Sequence, residues 1–233
     1  MKLCTVLAAS LFVGSTAFAQ MAEFGVSGGY SHFANSGLLG VVPGFEAGSL
    51  GLGLTPDNEQ LNINQGNGFR LDFHMTLNSW KYFGHEFGYA YNRSQFEETF
   101  VAAQPVTTAT GQTIAAGQTV KTQTGMGVHQ GYYDFLAYAR PEGKRIRPFA
   151  AGGVQFSSFA PPGSSAAYGG SITKFGFNYG AGVKVRVSEK FLVRFDYREF
   201  LCGKPNYFGS GIQDNQSGLL RQQSISTGVS FVM

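Results

Sequence analysis

Alternation with a period of two residues constrains this chain more than any other feature. The clearest stretch is Phe69-Arg70-Leu71-Asp72-Phe73-His74-Met75-Thr76-Leu77, where odd residues are apolar and even ones polar or charged. Successive side chains of a strand point to opposite faces, so one face is greasy and the other carries Arg70, Asp72 and His74. Seven or eight such stretches recur, and the apolar faces are aromatic-rich. A polar face with bulky charges at mid-strand suits a barrel that is oily outside and polar inside, the pattern of a membrane barrel.

Eight strands are read in this way. The first, Glu23 to Phe33, sets Phe24, Val26 and Tyr30 against Glu23, Ser27 and Ser31, and the second is Phe69 to Leu77. The third, Tyr82 to Ser94, points Phe83, Phe87, Tyr89 and Tyr91 outward against Gly84, Glu86, Gly88 and Asn92. The fourth, Gly127 to Ala139, has aromatic residues on both faces, with Tyr133 and Phe135 opposing Tyr132, Asp134 and Leu136. That mixture points to a bulge that shifts the phase. The fifth, Arg147 to Phe159, is mixed and rich in small residues. The sixth directs Phe175 to Val187 outward at odd positions, against Lys174, Asn178, Lys184 and Arg186. The seventh, Phe191 to Phe200, faces Arg194, Asp196 and Arg198 inward. The eighth ends the chain, with Ile225, Thr227, Val229, Phe231 and Met233 outward. Eight is an even count, as bacterial single-chain barrels have.

The connections alternate in length. Asn78 to Lys81, Pro141 to Arg145 and Ser188 to Lys190 read as tight turns, rich in Pro, Gly, Ser or Asn. Between them lie long segments at Ala34–Asn67, Gln95–Thr124, Ala160–Thr173 and Leu201–Arg221. Up-and-down membrane barrels place short turns in the periplasm and long loops outside the cell. Gly51 and Gly53 lack a third glycine and a preceding strand, so they read as flexible loop and not as a phosphate cradle.

The start of the chain sets its address. Met1-Lys2-Leu3 is a short basic region, Val6 to Val13 an apolar stretch, and Ala17-Phe18-Ala19 a small-x-small cleavage site. This is a secretory signal peptide with cleavage expected after Ala19, leaving residues 20–233 as the barrel domain. Removal of Cys4 leaves Cys202 alone, so no internal disulfide staples the domain. Charged residues make up only 13%, aromatics 15%, and no later apolar run is long enough for a transmembrane helix. A net charge of +3 without a Lys/Arg cluster argues against nucleic acid. The rival reading is a secreted soluble β-sandwich or ligand-binding barrel.

Arg147 to Gly153, Gly180 to Val185, Phe191 to Arg198, the alternating last strand and the signal peptide together resemble the small outer-membrane β-barrels of Gram-negative bacteria, the OmpA-type and opacity-like proteins. The resemblance implies an eight-stranded antiparallel up-and-down transmembrane barrel, in which these motifs occupy strands five to eight. It implies contact with outer-membrane lipid and lipopolysaccharide, and delivery by the outer-membrane insertion machinery. Met233 stands where the family usually ends in Phe, which shifts recognition toward Phe231, and there is no peptidoglycan-binding domain after the barrel.

Chemical motifs are sparse. His32, His74, His85 and His129 show no metal spacing, and no catalytic, cofactor-binding or metal-binding residue is assigned. A structural or surface-interaction role carried by the loops is expected, with a lipid-modifying enzyme or narrow passive channel as the alternatives. The inward charges Arg70, Asp72, Glu86, Asp134, Lys184, Arg186, Arg194, Asp196 and Arg198 are expected to pair as an interior plug, because an eight-stranded barrel is just wide enough to be filled by side chains. The bases of the sixth and seventh strands outnumber Asp196, so Glu86, Asp72 or Asp134 must reach across. Trp80, Tyr82, Phe83, Phe191 and Phe231 fall near the short-turn end, where an interfacial aromatic girdle belongs.

Overall fold

Each alternating stretch forms a strand, and the strands pair in chain order around a ring. The structure, a computed structural model, describes residues 21–34, 40–43, 60–101, 105–107, 113–160, 170–205 and 218–233. The signal segment with its cleavage site, Gly51 and Gly53 lie outside the described residues. The elements are β1 (Met21–Phe33), β2 (Gly40–Pro43), β3 (Gln60–Trp80), β4 (Phe83–Val101), β5 (Val106–Thr107) and β6 (Thr113–Ile114). They continue with β7 (Thr119–Tyr138), β8 (Ile146–Ala160), β9 (Ile172–Arg186), β10 (Phe191–Gly203) and β11 (Leu219–Val232). Eight of these, β1, β3, β4 and β7 to β11, form an antiparallel ring that β1 closes by pairing with both β11 and β3. The short β2 extends along β3, and β5 and β6 pair with each other between β4 and β7.

Register fixes the shape of the barrel. From Tyr30, pairing through Phe69, Arg93 and Gly127 arrives at Ala160 on β8. The opposite way round, through Ile225, Tyr197 and Ala181, it arrives at Ala150, a stagger of ten residues. For eight strands that stagger gives a tilt of about 40° and a backbone radius of about 8 Å. Such an interior accommodates side chains and little else.

The inside and outside faces follow the sequence reading in β1, β3, β4, β9, β10 and β11. Phe24, Phe73, Phe87, Phe177, Phe195 and Val229 are outward and exposed, while Glu23, Asp72, Glu86, Asn178, Arg194 and Ser230 are buried inside. Two expectations are corrected. β7 contains no bulge: it pairs with β4 and β8 in unbroken register, with Tyr132, Leu136 and Tyr138 inward and Tyr133 and Phe135 outward. Its inward aromatics serve to fill volume. β8 is likewise regular, with Arg147, Phe149, Gln155 and Phe159 inside. The register shifts occur in β3 instead, between Gly66 and Phe69 and between Leu77 and Trp80.

Three staves are also longer than the alternation predicts. β3 starts at Gln60, β4 runs to Val101 and β7 starts at Thr119, so much of two expected loops is strand. The first expected turn shrinks too, since β3 runs on to Trp80. The cause of the long extensions is an inversion of polarity at the loop end. There the buried inward residues are Phe33, Phe96, Met126, Val128, Phe159 and Leu220, and the outward ones are His32, Arg93, Gln95, Glu97, Lys121 and Arg221. Where water lies outside, an apolar interior stabilises the wall by ordinary burial; where the outside is apolar, polar groups are confined to the lumen. An apolar cluster of Leu136, Tyr138, Phe149 and Ala151 lines the inside of β7 and β8 toward the turn end.

Candidate functional site

The charged groups of the interior lie below the loop-end apolar layer, and Lys184, Arg194 and Arg147 pack against Phe149 and Tyr138 of the turn-end cluster. Glu86 is the centre of these charges. It accepts bonds from Arg194 at 2.5 and 3.0 Å, from Arg198 at 2.7 Å and from Thr76 at 2.8 Å. β4 and β10 are opposite staves of the ring, so these bonds cross the lumen. Asp196 accepts from Arg194 Nε at 2.8 Å and Arg198 Nε at 3.1 Å, and Asp134 on β7 pairs with Arg198. All of these side chains are 8% exposed or less, so the charges are compensated by one another and not by water.

Two smaller groups join this centre. Asp72 pairs with Arg70 at 3.1 Å and accepts bonds from the Tyr132 hydroxyl at 2.9 and 3.0 Å. Lys184 pairs with Glu23, and donates to Tyr138 at 3.1 Å and to Thr76 at 3.3 Å. Asn78 donates to Glu23 at 2.8 Å. The sequence reading set Glu23 on the polar face of its strand without counting it among the paired interior charges, and it did not single out Arg147. Arg147 is buried, its guanidinium 3.7 Å from the centre of the Tyr138 ring. With them, the mutually packed interior charges among the described residues are Glu23, Asp72, Glu86, Asp134 and Asp196 against Arg70, Arg147, Lys184, Arg194 and Arg198, while Lys174 and Arg186 face inward at the two ends of β9. Of the expected partners, Lys184 turns to Glu23 and not to β10. Arg186 lies at the turn end, where its backbone N–H donates to the Arg145 carbonyl at 2.7 Å.

Toward the loop end the network becomes neutral. Gln130 donates to Ser157 at 2.9 Å and to Gln222 at 2.8 Å, and accepts from Asn92 at 2.9 Å and from Arg70. Gln222 also donates to Ser31 at 2.9 Å. Cys202 is a free thiol on the inward face nearby and is buried.

One arrangement has the form of a hydrolytic triad. His74 Nδ1 is 3.1 Å from Asp72 and His74 Nε2 is 3.2 Å from Ser230 Oγ. Ser230 lies 156 residues away in sequence, so spacing could not reveal the contact. Gly25 sits directly over the pair: a Cβ there would lie 2.1 Å from His74 Nε2 and 2.5 Å from Ser230 Oγ. Ser230 is only 1% exposed, and Gly25 fits against the pair because it carries no Cβ. The other histidines point outward. His32 meets Asn67 at 2.8 Å, His85 meets Tyr133 at 2.7 Å and His129 meets Tyr89 at 2.5 Å. Among the described residues no three His, Cys, Asp or Glu side chains converge as metal ligands.

The outer face carries an apolar band bounded by aromatic residues. Trp80, Tyr82, Phe83, Phe191 and Phe231 are exposed at the turn end, with Trp80 edge-on to Phe83 at 6.2 Å and Phe191 edge-on to Phe231 at 5.6 Å. Toward the loop end stand Tyr30, Tyr89, Tyr179 and Tyr197. Glu199 also faces outward there but is covered: it pairs with Arg221 and accepts from Tyr179 at 2.8 Å and Tyr197 at 3.1 Å. Four donors around one carboxylate are what a charge at the edge of an apolar band requires.

No curated protein sequence matches the chain. Among solved structures, it is similar to the N-terminal β-barrel domain of Pseudomonas aeruginosa OprF, with 9% identity, 91% of this chain and 97% of that one covered, and a TM-score of 0.48. Pseudomonas aeruginosa OprG gives 10% identity, 92% and 97% coverage and a TM-score of 0.48. Ail, the attachment invasion locus protein of Yersinia pestis, gives 13% identity, 91% and 99% coverage and a TM-score of 0.39. The family of outer membrane protein beta-barrel domains matches residues 5–232, nearly the whole chain. With its closed eight-stranded ring, its polar interior and its aromatic-bounded apolar outside, this chain belongs to the outer membrane protein beta-barrel family.

Proposed function

We propose that the protein is a non-enzymatic outer-membrane barrel with a structural or surface-interaction role, whose four long connections face the cell exterior and whose lumen does not conduct. One observation carries the reading: the buried charges of both signs are mutually bonded across the lumen, which supports an interior filled by its own side chains. An ion entering would have to break several charge-assisted bonds in a low-dielectric interior. Recognition then falls to the long connections, as is usual for loops carried on a rigid scaffold. The signal peptide, cleaved after Ala19, delivers the chain to the insertion machinery, and outer-membrane lipid and lipopolysaccharide surround the band.

Two measurements test this. In planar bilayers the purified barrel should show no steady open-pore current; a constant ohmic conductance would refute the closed lumen. A protease site inserted at Gly117, in the β6–β7 connection, should be cut in intact cells, and protection there would reverse the orientation. The enzyme alternative predicts a change in lipid A mass that depends on His32, His74 or His129. The present reading expects none.

A further inference from the structure

The outer face of β1, β3 and β4 carries a strip with a cleft and an exposed arginine, and an apolar groove starts on the same staves. Pairing of β1 with β3 stops at Ser31 and Gly68, and the register shift in β3 follows at once. A cleft of about 800 Å³ opens at this seam. Tyr30 and Phe69, 53% and 57% exposed, form two of its walls, and Asn67, Gln95, Glu97 and His32 supply planar polar groups. Asn67 Oδ1 accepts the Phe33 N–H at 3.2 Å, and Glu97 is held by Lys121 at 2.9 Å and Gln123 at 2.7 Å. Exposed aromatic faces beside amides and a carboxylate suit a sugar ring, whose C–H face stacks while its hydroxyls bond.

Beside the cleft stands Arg93, paired in register with Phe69. Its guanidinium lies over Gly125, where a Cβ would be 2.6 Å from Nη2, so the glycine makes a cradle for it. Arg93 is exposed and has no ion pair or side-chain hydrogen bond among the described residues. Below it begins an apolar groove of about 1070 Å³, which runs round the outer face from Phe24 and Phe73 past Tyr133 and Phe156 to Phe177 on β9. A sugar-shaped cleft, an unpaired guanidinium and an apolar groove match the three parts of a single amphiphile.

We propose that this strip seats one lipid A-type molecule of the outer leaflet, a phosphorylated and acylated amino sugar. The sugar occupies the cleft, a phosphate meets Arg93 and an acyl chain lies in the groove. A phospholipid lacks the ring for the cleft, and a free sugar has nothing to place in the groove. The inference rests on the proposed orientation, with the loop end toward the outer leaflet.

The full-length mature protein in phosphatidylcholine nanodiscs, titrated with lipid A and read by native mass spectrometry, tests it. One equivalent of lipid A should be retained. Dephosphorylated lipid A and phosphatidylglycerol should each bind at least tenfold more weakly. Arg93→Gln should lose as much affinity for lipid A as dephosphorylation does, with no further loss when both are combined, and Arg93→Lys should recover part. Phe69→Ala should weaken lipid A and leave phosphatidylglycerol unchanged. Retention by phosphatidylglycerol equal to lipid A, or by Arg93→Gln equal to wild type, would overturn the proposal. Heat-modifiable migration on gels reports barrel closure of each variant; if Arg93→Gln fails to close, Arg93→Lys and the dephosphorylated lipid decide. Protection of the Gly117 site in intact cells would instead refute the orientation.

Discussion

Removing the Glu86 carboxylate is the most direct test of what the interior does. Glu86→Ala deletes the acceptor of three guanidinium N–H bonds and of the Thr76 hydroxyl, at a position with no exposure. Breaking a buried pair by removing one partner costs about 3–5 kcal/mol. The lower end applies, because Arg194 keeps Asp196 and Arg198 keeps both Asp196 and Asp134. A loss of about 3 kcal/mol is therefore expected. Urea unfolding in lipid vesicles measures it, with Trp80, the only tryptophan, reporting from the turn-end girdle. The double variant Glu86→Met/Arg194→Met should recover part of the loss, since it removes opposite charges together and leaves apolar volume. A cost below about 1 kcal/mol for Glu86→Ala, the worth of an exposed pair, would show that water reaches these charges and would refute the closed interior.

Other outcomes follow from the same geometry. Asp196→Ala, which leaves Arg194 with Glu86 and Arg198 with Glu86 and Asp134, should cost a few kcal/mol by the same unfolding assay. Phe195 is 52% exposed on the apolar band, so Phe195→Arg should cost about 2–4 kcal/mol while Phe195→Leu stays mild; a harmless Arg would reverse inside and outside. In the turn after β7, burial raises the Glu142 carboxyl above its ordinary value of 4.5, against the lowering influence of Arg147. A raised carboxyl pKa means the folded state holds the proton more tightly, so its contribution to stability is present at low pH and is lost as pH rises through the folded value. Glu142→Gln should flatten stability against pH just above 4.5, and an unchanged profile would dismiss this group.

The staves that lie wholly against the apolar band were legible because one rule governs them from end to end. Phe69 to Leu77 and Phe175 to Val187 show it, since each outward residue there meets the same surroundings. β7 and β8 were obscured because the lumen also needs volume, and Tyr132, Tyr138 and Phe149 supply it from inside. The strand extensions were hidden because Phe96 and Glu97 obey the opposite rule to Phe87 and Glu86. Cross-lumen contacts were out of reach for a different reason. Glu23 and Lys184 are 161 residues apart, and only the closed ring and its ten-residue stagger bring them together. The inward set was readable as a set, and its pairing was not.

The inversion of polarity at the loop end bears on how the barrel gets into the membrane. Arg93, Glu97, Lys121 and Arg221 sit beyond the apolar band, so in the orientation proposed above they have to be carried across the bilayer during insertion. A lipid-facing Arg or Lys at the bilayer midplane costs about 2–4 kcal/mol, and the charged rim crosses on several staves. The apolar layer of Phe33, Phe96, Met126 and Phe159 cannot close until those staves have emerged on the far side. In that orientation completion of the rim is expected to come late in assembly, with a rate that falls as the bilayer thickens. Once it closes, the same charges resist retreat, and the barrel is latched at one depth.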